Sequence, residues 1–164
     1  MSAEFAPDVV ISMLVEAGVD FVVIGGVALG LYGSVLATLD TDVMYARDVE
    51  NIERLAAALG SLQVRLRGAP ADLPFRPDAK TIRAGMNFTF TSDSGDLDVL
   101  GEVDGISSYE RLRTRARVME LGGRDVLVAS VQDLISMKQA AGRTKDKRGL
   151  DDLAAILELE SRGE

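Results

Sequence analysis

The run "LATLDTDVMY" (36–45) places Asp40 and Asp42 two residues apart in a stretch that otherwise suits a buried strand. In a strand, residues i and i+2 point the same way. Asp40, Asp42 and Met44 then share one face, and Leu39, Thr41, Val43 and Tyr45 the other. Two neighbouring carboxylates repel, and burial worsens the repulsion unless a proton or a cation lies between them. Two arrangements satisfy this run: a strand end with both acids in water, or a strand whose acids hold a divalent metal.

The 164 residues suit one domain with its own core. We expect a single domain over 1–164, with a core of about 20–129 and a helical part of about 130–161. Cysteine and histidine are both absent. That excludes disulfides, thiol chemistry, a Ser-His-Asp triad and His-ligated zinc. Acid–base or metal work falls to carboxylates, lysines and hydroxyls, and hard oxygen ligands suit magnesium, manganese or calcium.

The first residues, "MSAEFAPDVV", lack the basic segment and apolar core of a signal peptide. The longest apolar stretches are too short to span a bilayer, so a cytoplasmic protein with no membrane partner is expected. The net charge of −8 disfavours generic binding to nucleic acid. The charge is uneven: −10 over 1–110, +6 over 111–148 and −4 over 149–164. An acidic part facing a basic segment could bracket a metal–phosphate ligand, and a mixed solvated surface explains the same pattern.

Along the chain, "PDVVISMLVEAG" (7–18) predicts a helix with Pro7 in its first turn and Gly18 at its end. "DFVVIGG" (20–26) predicts a strand running into a glycine turn, and 27–33 a short helix. "LDTDVMY" is the next strand. "DVENIERLAAALG" (48–60) predicts a helix capped by Asp48 and ended by Gly60. "LQVRL" (62–66) alternates as a strand, and 68–81, with three prolines, reads as a long loop. Strands at 86–92 and 96–103 around "DSG" make a hairpin. A short helix is expected at 108–116, then strand, Gly-Gly turn and strand over 117–130. Helices follow at 130–142 and 145–161. The fold class is α/β (α+β), with a mixed β-sheet flanked by helices and C-terminal helices.

Three features carry chemistry. Gly25 and Gly26 follow a strand and lead into a helix, where glycines let backbone amides approach a phosphate; a plain tight turn explains them too. The Asp40/Asp42 pair is the second. The third is Asp98 in "GDLDVL", inside an apolar alternation and in phase with Asp96 and Leu100. A carboxylate there needs a partner, either an arginine such as Arg83 or the same metal. Asp96, nearer the turn, reads as a solvated hairpin residue. On the 130–142 helix, Lys138 borders an apolar face, where its stem could pack while its charge reaches water.

In this order, "FVVIGGVAL", "ATLDTDVMYARDVENIERLAAAL", "GDLDVLGEVDG" and "VQDLISMKQAAGRTKD" resemble the nucleotidyltransferase superfamily that includes polymerase β-like enzymes. The likeness runs from about Phe21 to Leu153 and is strongest to minimal bacterial members and AbiEii-type toxin relatives. It implies a glycine pair at Gly25 and Gly26. It also implies a set of metal-binding catalytic carboxylates at Asp40, Asp42 and Asp98, holding two Mg²⁺ (or Mn²⁺) beneath an NTP. Thr38 is retained from an Arg-x-Thr-x-Asp-x-Asp run whose arginine position is Leu36 here. Lys138, Arg143 and Lys145 would grip phosphates, and Asp146 would orient one of them or cap the last helix.

The implied activity is transfer of a nucleoside monophosphate to a hydroxyl acceptor on RNA, a protein or a small molecule. A toxin paired with an antitoxin protein is one form of it. The alternative is an inactive module of the same fold that binds a nucleotide or a partner protein, which the loss of arginine at Leu36 favours.

Overall fold

A computed structural model describes residues 4–34, 38–70, 72–142 and 154–159. In chain order the elements are α1 (Pro7–Glu16), β1 (Phe21–Ile24), α2 (Gly25–Leu31), β2 (Asp40–Tyr45), α3 (Val49–Leu62) and β3 (Arg65–Leu66). Then come α4 (Ala79–Ala84), β4 (Asn87–Ser92), β5 (Gly95–Leu100), α5 (Tyr109–Arg115), β6 (Arg117–Leu121), β7 (Arg124–Val128) and α6 (Val131–Ala141). Residues 154–159 are helical. Among the described residues, no helix is long and apolar enough to cross a membrane.

The seven strands form one mixed sheet in the order β3-β4-β5-β2-β1-β7-β6. The β2/β5 and β1/β7 pairs are parallel and the others antiparallel. Period-two patterning decides which face is core. Val43 and Tyr45 on β2 and Leu97 and Val99 on β5 are fully buried, while Asp40, Asp42, Asp96 and Asp98 alternate with them on the less buried face. Val10, Ile11 and Leu14 of α1 and Ile52, Leu55 and Leu59 of α3 belong to the same core.

Caps fix several helix starts. Asp48, Asp78, Ser108 and Ser130 each accept a hydrogen bond from the backbone N–H three residues on, satisfying a donor that the first turn leaves unpaired. Asn51, fully buried, joins three segments. Its Nδ2 donates to the carbonyls of Asp20 (3.0 Å) and Ala46 (2.8 Å), and its Oδ1 accepts from the Asp20 N–H (2.6 Å).

Several boundaries differ from expectation. α2 begins at Gly25 itself, two residues earlier than expected, with Gly25 at φ +69° making the turn from β1 into the helix. Gly60 lies inside α3, which ends two residues later, and Gln63 takes the left-handed conformation (φ 53°). Continuing apolar contacts at Leu59 and Leu62 carry the helix past the glycine, and the strand expected over 62–66 shrinks to two residues. The end of the proline-rich stretch read as a loop is the start of α4, capped by Asp78. β5 stops at Leu100, short of 103. Leu39, placed on the buried face by alternation, is 74% exposed because pairing starts only at Asp40. The last helix is described only over 154–159.

Candidate active site

Register brings the acids together. β2 and β5 run parallel with Asp40 opposite Asp96 and Asp42 opposite Asp98. Residues opposite one another share a face, so four carboxylates line one patch at the starts of two central strands. Asp40, Asp42 and Asp98 converge, each offering an oxygen within 4.8 Å of the others.

The glycine pair makes room for this. Gly25 has φ +69°, and a Cβ there would stand 2.2 Å from Asp42 Oδ2. The side chain is missing because the Asp42 carboxylate occupies its place. At Gly26 a Cβ would stand 2.5 Å from Thr38 Cβ. Thr38 in turn shapes the entry to β2: its Oγ1 lies 3.3 Å from both the N–H and the carbonyl oxygen of Asp40.

The electrostatics are those of crowded acids. Burial, then the charges of Asp98 and Asp40, push the Asp42 carboxyl up to about 7, against a smaller lowering by Arg67. Asp42 Oδ1 is buried and, among the described residues, has no hydrogen-bond partner. A buried, orphaned carboxylate oxygen beside two further carboxylates fits a hard divalent cation. Asp40, Asp42 and Asp98 are the residues that could hold it.

Lys138 belongs to the same place. α6 runs over the acidic face, and Leu134, Met137, Lys138 and Ala141 line a cavity of about 300 Å³ with Gly25 and Asp42. Of the expected residues, Gly25, Asp42 and Lys138 line this cavity, Asp40 and Asp98 lie beside Asp42, and Gly26 packs against Thr38. Arg143, Lys145, Asp146 and Leu36 lie outside the described residues.

One expectation is corrected. The arginine beside Asp98 is Arg67, not Arg83. Arg67 Nη2 donates to Asp98 Oδ1 at 2.7 Å and to the Phe90 carbonyl at 2.9 Å, and Nε lies 3.3 Å from Asp96 Oδ2. Arg83 contributes only its backbone carbonyl, to Arg47. Asp96, read as a solvated hairpin residue, is therefore paired. Arg65 and Arg67 alternate in phase just after α3, but the link from Arg67 to Asp98 runs across β4, a pairing that the sequence does not display.

No protein-family model matches the chain, and no curated protein matches its sequence. Solved structures do match. ANT(2'')-Ia, solved in complex with adenylyl-2''-tobramycin, aligns over 93% of this chain and 87% of its own at 17% identity and a TM-score of 0.58. The lincosamide antibiotic adenylyltransferase LnuA, lincomycin-bound, aligns over 94% of this chain and 99% of its own at 10% identity and a TM-score of 0.62. The fold is that of the nucleotidyltransferases. A candidate nucleotidyltransferase of Thermotoga maritima, TM1012, shares the fold over 93% of this chain and 96% of its own, at 16% identity and a TM-score of 0.55. At such identities the likeness is one of architecture, and the chemistry rests on the side chains described above.

Proposed function

We propose that this chain transfers a nucleoside monophosphate from an NTP to a hydroxyl of a small-molecule acceptor. The observation that carries the reading is the convergence of Asp40, Asp42 and Asp98, with an orphaned Asp42 oxygen, in a cleft shared with Lys138. Two magnesium or manganese ions held by these carboxylates would neutralise the triphosphate and stabilise the leaving pyrophosphate. Lys138, which lines the same cavity as Asp42, would supply a cation to the phosphate oxygens. Gly25 and Gly26 let the triphosphate approach the backbone at the start of α2.

Asp98, held on one oxygen by Arg67, faces the acceptor hydroxyl with the other and receives its proton. The acceptor oxygen bonds to the α-phosphorus as the bond from that phosphorus to the bridging oxygen breaks, and pyrophosphate leaves. Positioning and charge stabilisation carry most of the rate.

A small acceptor is favoured over RNA by the net charge of −8, which disfavours a large surface for a polyanion. It is also favoured by the antibiotic acceptors of ANT(2'')-Ia and LnuA. A toxin role with an antitoxin partner rests on sequence resemblance alone. The second reading is an inactive nucleotide-binding module. The Arg67–Asp98 pair favours it, since it gives Asp98 a structural reason to be present.

Incubation with α-³²P-labelled NTPs, Mg²⁺ and panels of hydroxylated small molecules, tRNA and proteins separates these readings. Labelled small-molecule product with pyrophosphate release, lost in Asp40→Asn, is expected. Nucleotide binding with no pyrophosphate from any acceptor favours the inactive module.

A further inference from the structure

Four carboxylates stand in two facing pairs on β2 and β5, yet only three converge. Arg67 stands beside two of the four, Asp96 and Asp98. Its side chain is 31% exposed and lies over β4, anchored on the Phe90 carbonyl. From there its Nη2 donates to Asp98 Oδ1 at 2.7 Å, and its Nε lies 3.3 Å from Asp96 Oδ2. One guanidinium thus engages one oxygen of each of two of these carboxylates, Asp98 through a hydrogen bond and Asp96 through an ion pair.

We propose that Arg67 is a positioning residue that makes cation binding at this site depend on the nucleotide. The inference rests on the reading of Asp40, Asp42 and Asp98 as a cation site. Four free carboxylates would bind a divalent cation tightly unaided, because cation affinity rises with the number of charged oxygens in the shell. They would also fill positions that phosphate oxygens must take. With one oxygen of Asp98 and one of Asp96 engaged by the guanidinium, the protein ligands alone hold the cation weakly. Triphosphate oxygens complete the shell, so metal and NTP bind with positive coupling. The guanidinium charge acts in the same direction, repelling a lone cation more than a cation–triphosphate complex.

The test measures protein-bound Mn²⁺ by equilibrium dialysis, without and with ATP, in wild type, Arg67→Gln, Arg67→Lys and Asp42→Asn. In wild type, ATP should raise the bound Mn²⁺ markedly. Arg67→Gln, which keeps a donor for the Phe90 carbonyl, should bind Mn²⁺ alone about tenfold or more tighter than wild type and gain little from ATP. Arg67→Lys keeps the charge without the fork and should fall between the two. If Arg67→Gln binds Mn²⁺ as wild type does, or more weakly, the proposal is overturned. If Arg67→Gln does not fold, an Arg67→Lys protein no tighter than wild type overturns it instead. Asp42→Asn reports on the underlying site. Loss of Mn²⁺ there alongside an unchanged Arg67→Gln rejects only the role of Arg67, whereas retained Mn²⁺ in Asp42→Asn rejects the site itself.

Discussion

Asp42 is held between two carboxylates in a largely buried position, and its protonation couples to folding. Its carboxyl is pushed up to about 7 by burial and by the charges of Asp98 and Asp40. Without a cation, the folded chain therefore keeps a proton on Asp42 at pH values where the unfolded chain has released it. The native state binds more protons across that window, so stability falls as pH rises from the ordinary aspartate range to about 7. Asp42→Asn mimics the protonated form and should escape the loss. In EDTA, the variant should match wild type near pH 4 and exceed it at pH 8 by on the order of 4 kcal/mol. Thermal melts across this range check the sign. Gly25 gives a second prediction at this scale. Gly25→Ala must place a Cβ against Asp42 Oδ2 at a positive φ. The left-handed backbone alone costs about 1–2 kcal/mol, and the displaced carboxylate should abolish metal-dependent stabilisation as well.

At the scale of elements, α3 and α6 carry different loads. α3 is pinned to the sheet through Asn51, whose amide group is fully used between β1 and β2. Asn51→Leu strands the buried Ala46 carbonyl and the Asp20 N–H, while the Asp20 carbonyl keeps the Ala46 N–H, so it should destabilise by about 2 kcal/mol or more, measurable by urea unfolding. α6 brings Lys138 over the acidic face. Lys138→Met keeps the packing stem and removes the charge. NTP affinity should then fall by about 1–3 kcal/mol while the melting temperature stays near wild type. Elements of this kind are readable from the chain: Ser130 and Gly142 bracket α6, and Asp48 starts α3, by local capping that needs no tertiary context. The end of α3 is not readable in this way. Gly60 offers a stop, and core contacts at Leu62 override it.

For the whole molecule, the acidic face follows from strand pairing. Each aspartate is visible in the sequence, and the phase of Asp40 with Asp42 and of Asp96 with Asp98 follows from a period of two. The parallel register that sets Asp42 beside Asp98 does not, because β2 and β5 are separated in the chain by α3, β3, α4 and β4. Arg67 was hidden for the same reason: it reaches its acids across a strand order, β3-β4-β5, that only the folded sheet defines. The proposed site then makes one demand on the whole chain, that metal and nucleotide stabilise it together through Asp42. Thermal unfolding of wild type and Asp42→Asn, with Mg²⁺ and each NTP near a hundred times its Kd, tests this most directly. Linkage at that excess supplies about 2.7 kcal/mol, which for a chain of this size raises Tm by roughly 5–10 °C. The account predicts that rise in wild type and none in a folded Asp42→Asn. An equal rise in both proteins would contradict it.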